Sequence, residues 1–364
     1  QTPRVLEYLS SKPLGSCQRN LNNYVILCLC IGFFQDMQQF IPQKRCVMTL
    51  TNPTLKFSLR AFEPRDIAPL TTIFNRIYPD EPSTLAQNEH WEQTYPADNP
   101  RLRRVAETAV GQVVGYGECQ RPFWSDQLNT YAIFIAVDPD WQRRGIGQAL
   151  FTAVAPFAAE QNATKLRTDC KEDDPGAIRF LEKSGFTQIG IRFEAALDIP
   201  AFNDLPFRIA EDQATIAGYE IITLADARQT DPDADLHLYE VFAATIVDVP
   251  FPGEDRAKPN YDNFRAQLLD APDADPKAIF IARQGERMVG MTSLELLPNA
   301  IAITGMTGVL REHRGQNLAM AMKLASFRYL KAHGFTEART HNDTANPPIL
   351  ALNKKLGYRP LPGW

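Results

Sequence analysis

The feature that most constrains this chain is an internal repeat. Val137, Gln142, Gly147, Ala149, Asp174, Gly185 and Phe186 find Val309, Arg314, Ala319, Ala321, Asn346, Gly357 and Tyr358 at one constant offset of 172 residues. Upstream, the VVG of residues 113–115 has a counterpart in the MVG of 288–290, displaced by 175. An offset held through strand-like, loop-like and helix-like segments marks two copies of one folding unit. The length of 364 residues agrees, since a single core rarely grows that large. The predicted division is an N-terminal extension over 1–47, a first repeat over 48–205 and a second over 206–364, with the boundary in the polar and small residues of 200–218.

Within the first copy, the segment from Phe57 reads as a short strand, a turn at Glu63 and Pro64, and a helix with Ile67, Leu70, Ile73, Phe74 and Ile77 on one side. The stretch 105–120 predicts strands around a turn near Gly111 and Gln112. The β-branched run of 131–139 predicts a buried strand. A helix is predicted after Gly145, then the strand TKLRTDC, the helix PGAIRFLEKSG, and two closing strands, FTQIGIR and FEAALDI. In the second copy, Ala227–His237 (ARQTDPDADLH) predicts a solvated polar loop. It lacks the ligand spacing of an EF-hand.

Composition narrows the function. Hydrophobic residues make up 44% and charged residues 22%, which excludes a disordered chain, and the formal charge of −5 gives no support to a general nucleic-acid-binding surface. Cys17, Cys28, Cys30 and Cys46 cluster before residue 50, and no C-x-x-C pair occurs, so a reducing, cytoplasmic setting is expected. The apolar run Tyr24–Phe34 is too short for a transmembrane helix, which needs about 20 residues, and is expected to pack as part of an appendage. No carboxylate and histidine set has metal-ligand spacing, so no metal is expected.

The chemistry concentrates in Ile135–Val154. Gln142, Arg143, Arg144, Gly145, Ile146 and Gly147 stand between a buried strand and an amphipathic helix. Glycines there let the backbone approach a ligand, and the N–H groups of the first helical turn suit a pyrophosphate, with the arginines adding charge. The dinucleotide fingerprint fails, because position 150 is Leu150, and no G-K-[ST] follows for a P-loop. A charged loop and short helix, Asp169–Phe186, follow.

V-x-P-x-x-Q-R-R-G-I-G followed by D-x-x-A-x-x-F-L-E-K-x-G-F resembles the GCN5-related N-acetyltransferases. The second copy resembles the same family through Thr307–Leu324 and Asn342–Tyr358. The resemblance covers nearly everything after about residue 56 and implies an α/β (α+β) chain of two tandem acyl-CoA N-acyltransferase (GNAT) domains, each a mixed central sheet with helices on both faces. It implies acetyl-coenzyme A as cofactor, with Gln142, Arg143, Arg144, Gly145, Ile146 and Gly147 on its pyrophosphate. Val137 would end the strand whose backbone donates to the acetyl carbonyl, and Asp174 would stand near the pantetheine, where the family usually has Asn.

The chain also departs from the family. The residue four before the glycine of the G-F pair is commonly a proton-donating tyrosine, whereas this chain has Leu181 and Asn353. Asn317 replaces Gly145 in the second copy, which reaches Trp364 only seven residues after Gly357, so that copy is expected to lack a final strand or borrow one.

Transfer to an amine also needs a base, and Glu118, a carboxylate in an otherwise apolar strand, is the candidate. His341 is the candidate in the second copy. Cys170 reads as a small hydrophobe, and Trp124 and Trp141 as packing or groove residues. The acceptor is expected to be a small-molecule or peptide amine, with no nucleic acid and no transmembrane segment involved. The competing readings are an active second copy and a non-catalytic coenzyme A-binding or interaction module.

Overall fold

The computed structural model describes residues 57–122, 128–250, 260–343 and 346–364. The N-terminal extension, with its apolar run and cysteine cluster, and Trp124 lie outside the described residues.

The first half builds a five-stranded sheet in sequence order: β1 (Phe57–Ala61), β2 (Arg101–Thr108), β3 (Val113–Gln120), β4 (Thr130–Val137) and β5 (Lys165–Arg167). Neighbours are antiparallel except β4 and β5, which run parallel. Helices α1 (Ile67–Ile77) and α2 (Leu85–Thr94) precede β2, and α3 (Ile146–Val154) follows β4. A short helix, α4 (Pro156–Glu160), comes next, because Pro156 interrupts the one long helix that the apolar spacing predicts. Helix α5 (Pro175–Lys183) follows β5.

Two glycines fix where α3 lies. A Cβ on Gly115 would come within 3.0 Å of Ile146 and 3.1 Å of Leu150, and one on Gly117 within 3.2 Å of Leu150. Their absence lets α3 settle closely on β3, with Ile146 and Leu150 buried.

The closing strands differ from expectation. Residues 186–191 form no strand, and β6 (Arg192–Asp198) joins the other sheet. That sheet has seven strands in the order β12-β6-β11-β10-β9-β8-β7, comprising β7 (Tyr219–Thr223), β8 (Ile279–Gln284), β9 (Arg287–Leu296), β10 (Ile301–Val309), β11 (Glu337–Asp343) and β12 (Arg359–Leu361). β6 lies antiparallel between β11 and β12, so the second sheet does borrow a strand. The reason lies in its side chains. Ala195, Leu197 and Ile199 pack into the second core, while the buried carboxylate of Glu194 meets Arg339 of β11 at 3.0 Å.

The remaining helices are α6 (Arg208–Ile216), α7 (Leu224–Thr230), α8 (Ala234–Ile246), α9 (Tyr261–Phe264), α10 (Leu318–Ala332) and α11 (Pro347–Leu356). α7 and α8 take up most of the segment 227–237 predicted as a loop. Thr223 caps α7, Arg228 pairs with Asp235, and the apolar Leu224, Ala227, Ala234 and Leu238 are buried beneath them. The two mixed, helix-flanked sheets are the tandem architecture that the repeat predicts. Among the described residues no helix is long and apolar enough to cross a membrane.

Candidate functional site

β4 and β5 pair only over Thr130–Ala132 and Lys165–Arg167. β4 then continues to Val137 without a strand on that edge, leaving an open wedge between them. Beyond Val137 the chain is braced by Arg76 of α1, which binds Asp138 at 2.7 Å and Asp140 at 2.9 Å. Gln142 turns back to donate to the Val137 carbonyl at 3.2 Å. Arg143 and Gly145 take left-handed backbone angles, φ 61° and 80°, and α3 starts immediately after them. Ala149 N–H donates to the Gly145 carbonyl, so the N–H groups of Ile146, Gly147 and Gln148 have no partner within the helix.

This loop fits a pyrophosphate. The donors converge at a helix N-terminus, Gly145 removes a Cβ from their midst, and Arg143 has no ion-pair partner among the described residues. Arg144 instead donates to the Asp140 carbonyl at 2.9 Å, its guanidinium 4.7 Å from the ring centroid of Trp141. Asp174 caps α5, its carboxylate accepting from Gly176 N–H at 2.8 Å and Ala177 N–H at 2.9 Å.

A cavity of about 480 Å³ is lined by α1, α2, β2, β3, β4 and residues 167–169. Tyr116, Glu118 and Gln120 line it together because alternate residues of a strand share a face. The half-buried Glu118 accepts a short hydrogen bond from the Tyr116 hydroxyl. Burial pushes the Glu118 carboxyl above the usual carboxylate range, against the opposing pull of Tyr116, Arg103 and Arg101. Burial and the adjacent carboxylate raise the Tyr116 phenol as well. Arg103 is held to Glu92 by bonds of 2.7 and 2.8 Å, with its guanidinium over the Phe62 ring. Glu118 was singled out from the sequence and Tyr116 was not, though its place two residues earlier on the same strand made it legible. Arg192 and Trp364, which also line the cavity, were not, because they arrive through the exchanged strand and the segment paired with it.

His341 does not line this cavity. It lies 3.8 Å from Glu81 and 4.0 Å from Glu194. The carboxylate and imidazole atoms of these three lie within 4.8 Å of one another, the kind of cluster that could hold a metal. The Lys171 ammonium already bridges the two carboxylates, 3.3 Å from Glu81. Burial raises the Glu81 carboxyl, but His341 and Lys171 outweigh it and bring it to about 2. Of the cysteines among the described residues, Cys119 is buried with its thiol pushed up to about 12, and burial also raises that of the half-buried Cys170.

The Acetyltransferase (GNAT) family matches residues 67–186 and again 238–358, most of the chain in two copies. The chain belongs to this family. As a GNAT enzyme it is an acetyl-coenzyme A-dependent N-acyltransferase. A mycothiol acetyltransferase of Parafrankia sp. is 23% identical over 248 residues, covering 62% of this chain and 71% of that protein. A phosphinothricin N-acetyltransferase of Streptomyces coelicolor is 24% identical over 149 residues, 38% of this chain and 85% of that protein. A solved tandem GNAT protein from the clavulanic acid biosynthesis pathway is similar in fold, with a TM-score of 0.63 at 20% identity over 85% of this chain and 96% of that one.

The second GNAT repeat has the same skeleton with different chemistry. β10 and β11 pair over Ile301–Thr304 and Glu337–Thr340 and then part. Gly315 and Asn317 are left-handed like Arg143 and Gly145, at φ 80° and 60°. Asn317, however, carries a side chain that donates to Gln213 at 2.8 Å, and Asp248 holds both Arg311 and Arg314, which keeps its carboxyl far below the usual range. Ser293 and Met291 occupy the positions of Glu118 and Tyr116. Asn353 is buried, with neither side-chain polar atom hydrogen-bonded.

Proposed function

We propose that this protein transfers an acetyl group from acetyl-coenzyme A to the primary amine of a small molecule or peptide, by direct attack, in the N-terminal domain. The division proposed is 48–205 and 206–364, with β6 lent across it to the second sheet. The observation that carries this reading is the contrast between the two helix-start loops. Arg143 and Gly145 leave one loop open, while Asp248 and Asn317 occupy the other. The name of the phosphinothricin N-acetyltransferase supports an amine acceptor.

When bound, acetyl-coenzyme A supplies a thioester carbonyl for the amine to attack. The N–H groups of Ile146 and Gly147, with Arg143, would hold its phosphates, and Arg144 would join them by leaving the Asp140 carbonyl, while Gln142 keeps Val137 and the loop in register. Asp174 acts through the start of α5, which it caps. The unpaired edge of β4 near Val137 offers backbone N–H to the acetyl oxygen. Glu118 takes the proton of the acceptor ammonium. Its raised pKa suits that task, and Tyr116 fixes its orientation. Leu181 has no proton to give, so the departing thiolate would take its proton from water or from another side chain, or leave as thiolate.

A second reading places the reaction in the C-terminal domain. It draws support from Asn353, unpartnered at the position of the family's proton donor, and would use His341 as base. The test is release of coenzyme A thiol from acetyl-coenzyme A with a panel of primary amines, for the wild type, Glu118→Gln and His341→Gln. Loss of turnover in Glu118→Gln alone supports the N-terminal reading. Loss in His341→Gln alone supports the second. Coenzyme A binding with no turnover on any amine would favour a non-catalytic binding module.

A further inference from the structure

The lining of the cavity beside Glu118 carries two chemically distinct sets of unsatisfied groups. On β3, Glu118 offers a carboxylate with no ion-pair partner among the described residues, and the Gln120 side-chain oxygen is buried without a hydrogen-bond donor. Both are acceptors, and both suit an ammonium. Arg192 of β6 and Trp364 contribute the other set. The Arg192 Nε and Trp364 Nε1 are buried donors with no acceptor, and no carboxylate of the described residues pairs with the Arg192 guanidinium.

Arg103 of β2 cannot play this part, since it and Glu92 satisfy each other, and Arg167, which also lines the cavity, has a partner of its own. Phe62, Phe74, Phe134 and Trp91 add apolar wall to the same cavity. Buried donors without acceptors are costly in a folded protein, and a site retains them where a ligand supplies the missing acceptors. Two N–H donors, one of them on a guanidinium, suit the planar oxygens of a carboxylate.

We infer that the acceptor is an amino acid with an apolar body, its carboxylate bound by Arg192 and Trp364 while its ammonium faces Glu118 and Gln120. This rests on the N-terminal reading of the transfer site and adds the substrate class to it. It also gives the exchanged strand a purpose. Arg192 and Trp364 hold each other by paired main-chain hydrogen bonds, so the carboxylate-binding set exists only when β6 is seated in the second sheet.

The test is calorimetric titration of the full chain with leucine, phenylalanine and ε-aminocaproate, each against the amine that lacks only the carboxylate: isoamylamine, phenethylamine and pentylamine. At least one acid is expected to bind about tenfold or more tightly than its amine, the range of a charge-assisted hydrogen bond. Arg192→Leu should shrink that preference to within about threefold and Arg192→Lys should restore part of it, while a smaller loss is expected for Trp364→Phe, which removes only the indole donor. Melting curves check that each variant is folded, since the main-chain pairing of residue 192 does not depend on its side chain.

Amines that bind as well as their acids, a preference that survives Arg192→Leu, or no binding by any of the three acids would overturn the inference. Thiol release measured in parallel separates it from the parent reading. Amines acetylated as fast as acids leave the transferase standing and remove the carboxylate site. Acids that bind through Arg192 and are never acetylated keep the binding site and remove the catalysis.

Discussion

Arg192 and Trp364 exchange two main-chain hydrogen bonds, 2.8 Å from Arg192 N–H to the Trp364 carbonyl and 2.9 Å in the opposite sense. This pairing brings the last described residue of the second repeat against the cavity of the first. The segment is pinned again by Glu172, whose backbone N–H and carboxylate both bond to Gly363. The Trp364 ring meanwhile packs against Tyr78 and lies 4.6 Å from the Lys171 ammonium.

Gly363 is the position most sensitive to this arrangement. A Cβ there would fall 2.5 Å from the Arg192 carbonyl, which is backbone and cannot step aside. Gly363→Ala should therefore unseat Trp364, lower stability by about 1–3 kcal/mol and raise the acceptor KM more than it lowers kcat. Thermal melts and steady-state kinetics check this, and a variant with wild-type KM would place the acceptor away from Trp364.

The exchanged strand predicts where the chain can be cut. A fragment of 187–364 keeps β6 between β11 and β12, whereas a fragment of 206–364 lacks it and exposes the apolar surface that Ala195, Leu197 and Ile199 cover. The longer fragment should give a cooperative melt and dispersed amide resonances, and the shorter one should aggregate. Equal behaviour of the two would make β6 dispensable.

How far the sequence reached follows from the same strand. Thr130–Val137 and the helix start at Ile146 were legible, because a β-branched run followed by glycines has few other local solutions. The tandem architecture was legible in the 172-residue offset, whereas the sequence left open whether the second copy lacks a final strand or borrows one. Which segment would be borrowed was not legible. Side-chain alternation tells which face of FEAALDI is buried but not which sheet receives it. The deciding partner of Glu194 is Arg339, 145 residues away. Arg192 and Trp364 stayed hidden for that reason, whereas Glu118 stood out as a carboxylate in an apolar strand. The electrostatic difference between the loops was half legible. Asn317 for Gly145 is a visible change, but Asp248 reaches Arg311 and Arg314 only through the packing of α8 on β9 and β10.

Glu118 makes two linked pH predictions. Its folded carboxyl pKa is raised by burial, so the native state binds a proton that the unfolded chain has already released. The stability contributed by Glu118 is thus greatest at low pH and is lost as pH rises from the unfolded pKa through the raised folded one. The melting temperature of the wild type should show this decline against Glu118→Gln, which lacks it. Over the same window the acetylation rate should rise as the base loses its proton, and the rise should vanish in Glu118→Gln together with about 10²-fold or more of the rate. A Gln variant with the wild-type rate profile would remove Glu118 from proton transfer.

Asp248 can be tested from the opposite direction. Asp248→Asn releases Arg311 and Arg314 in the second loop, and coenzyme A affinity there should increase, most clearly at low salt. Combining it with Asn317→Gly should enlarge the gain. If neither change creates a measurable second site, the loop is closed for reasons other than these two side chains.

The central claim is that the loop of residues 142–147, and not its counterpart at 314–319, holds the cofactor. Calorimetric titration of coenzyme A into the wild type, Gly145→Val and Asn317→Val tests it most directly. Gly145 sits at φ 80°, where a β-branched side chain is both strained and in the path of the phosphates. One site per chain is expected in the wild type and in Asn317→Val, with binding weakened about 100-fold or more in Gly145→Val. Wild-type binding by Gly145→Val, or its loss in Asn317→Val, would contradict the account and move the cofactor to the second domain.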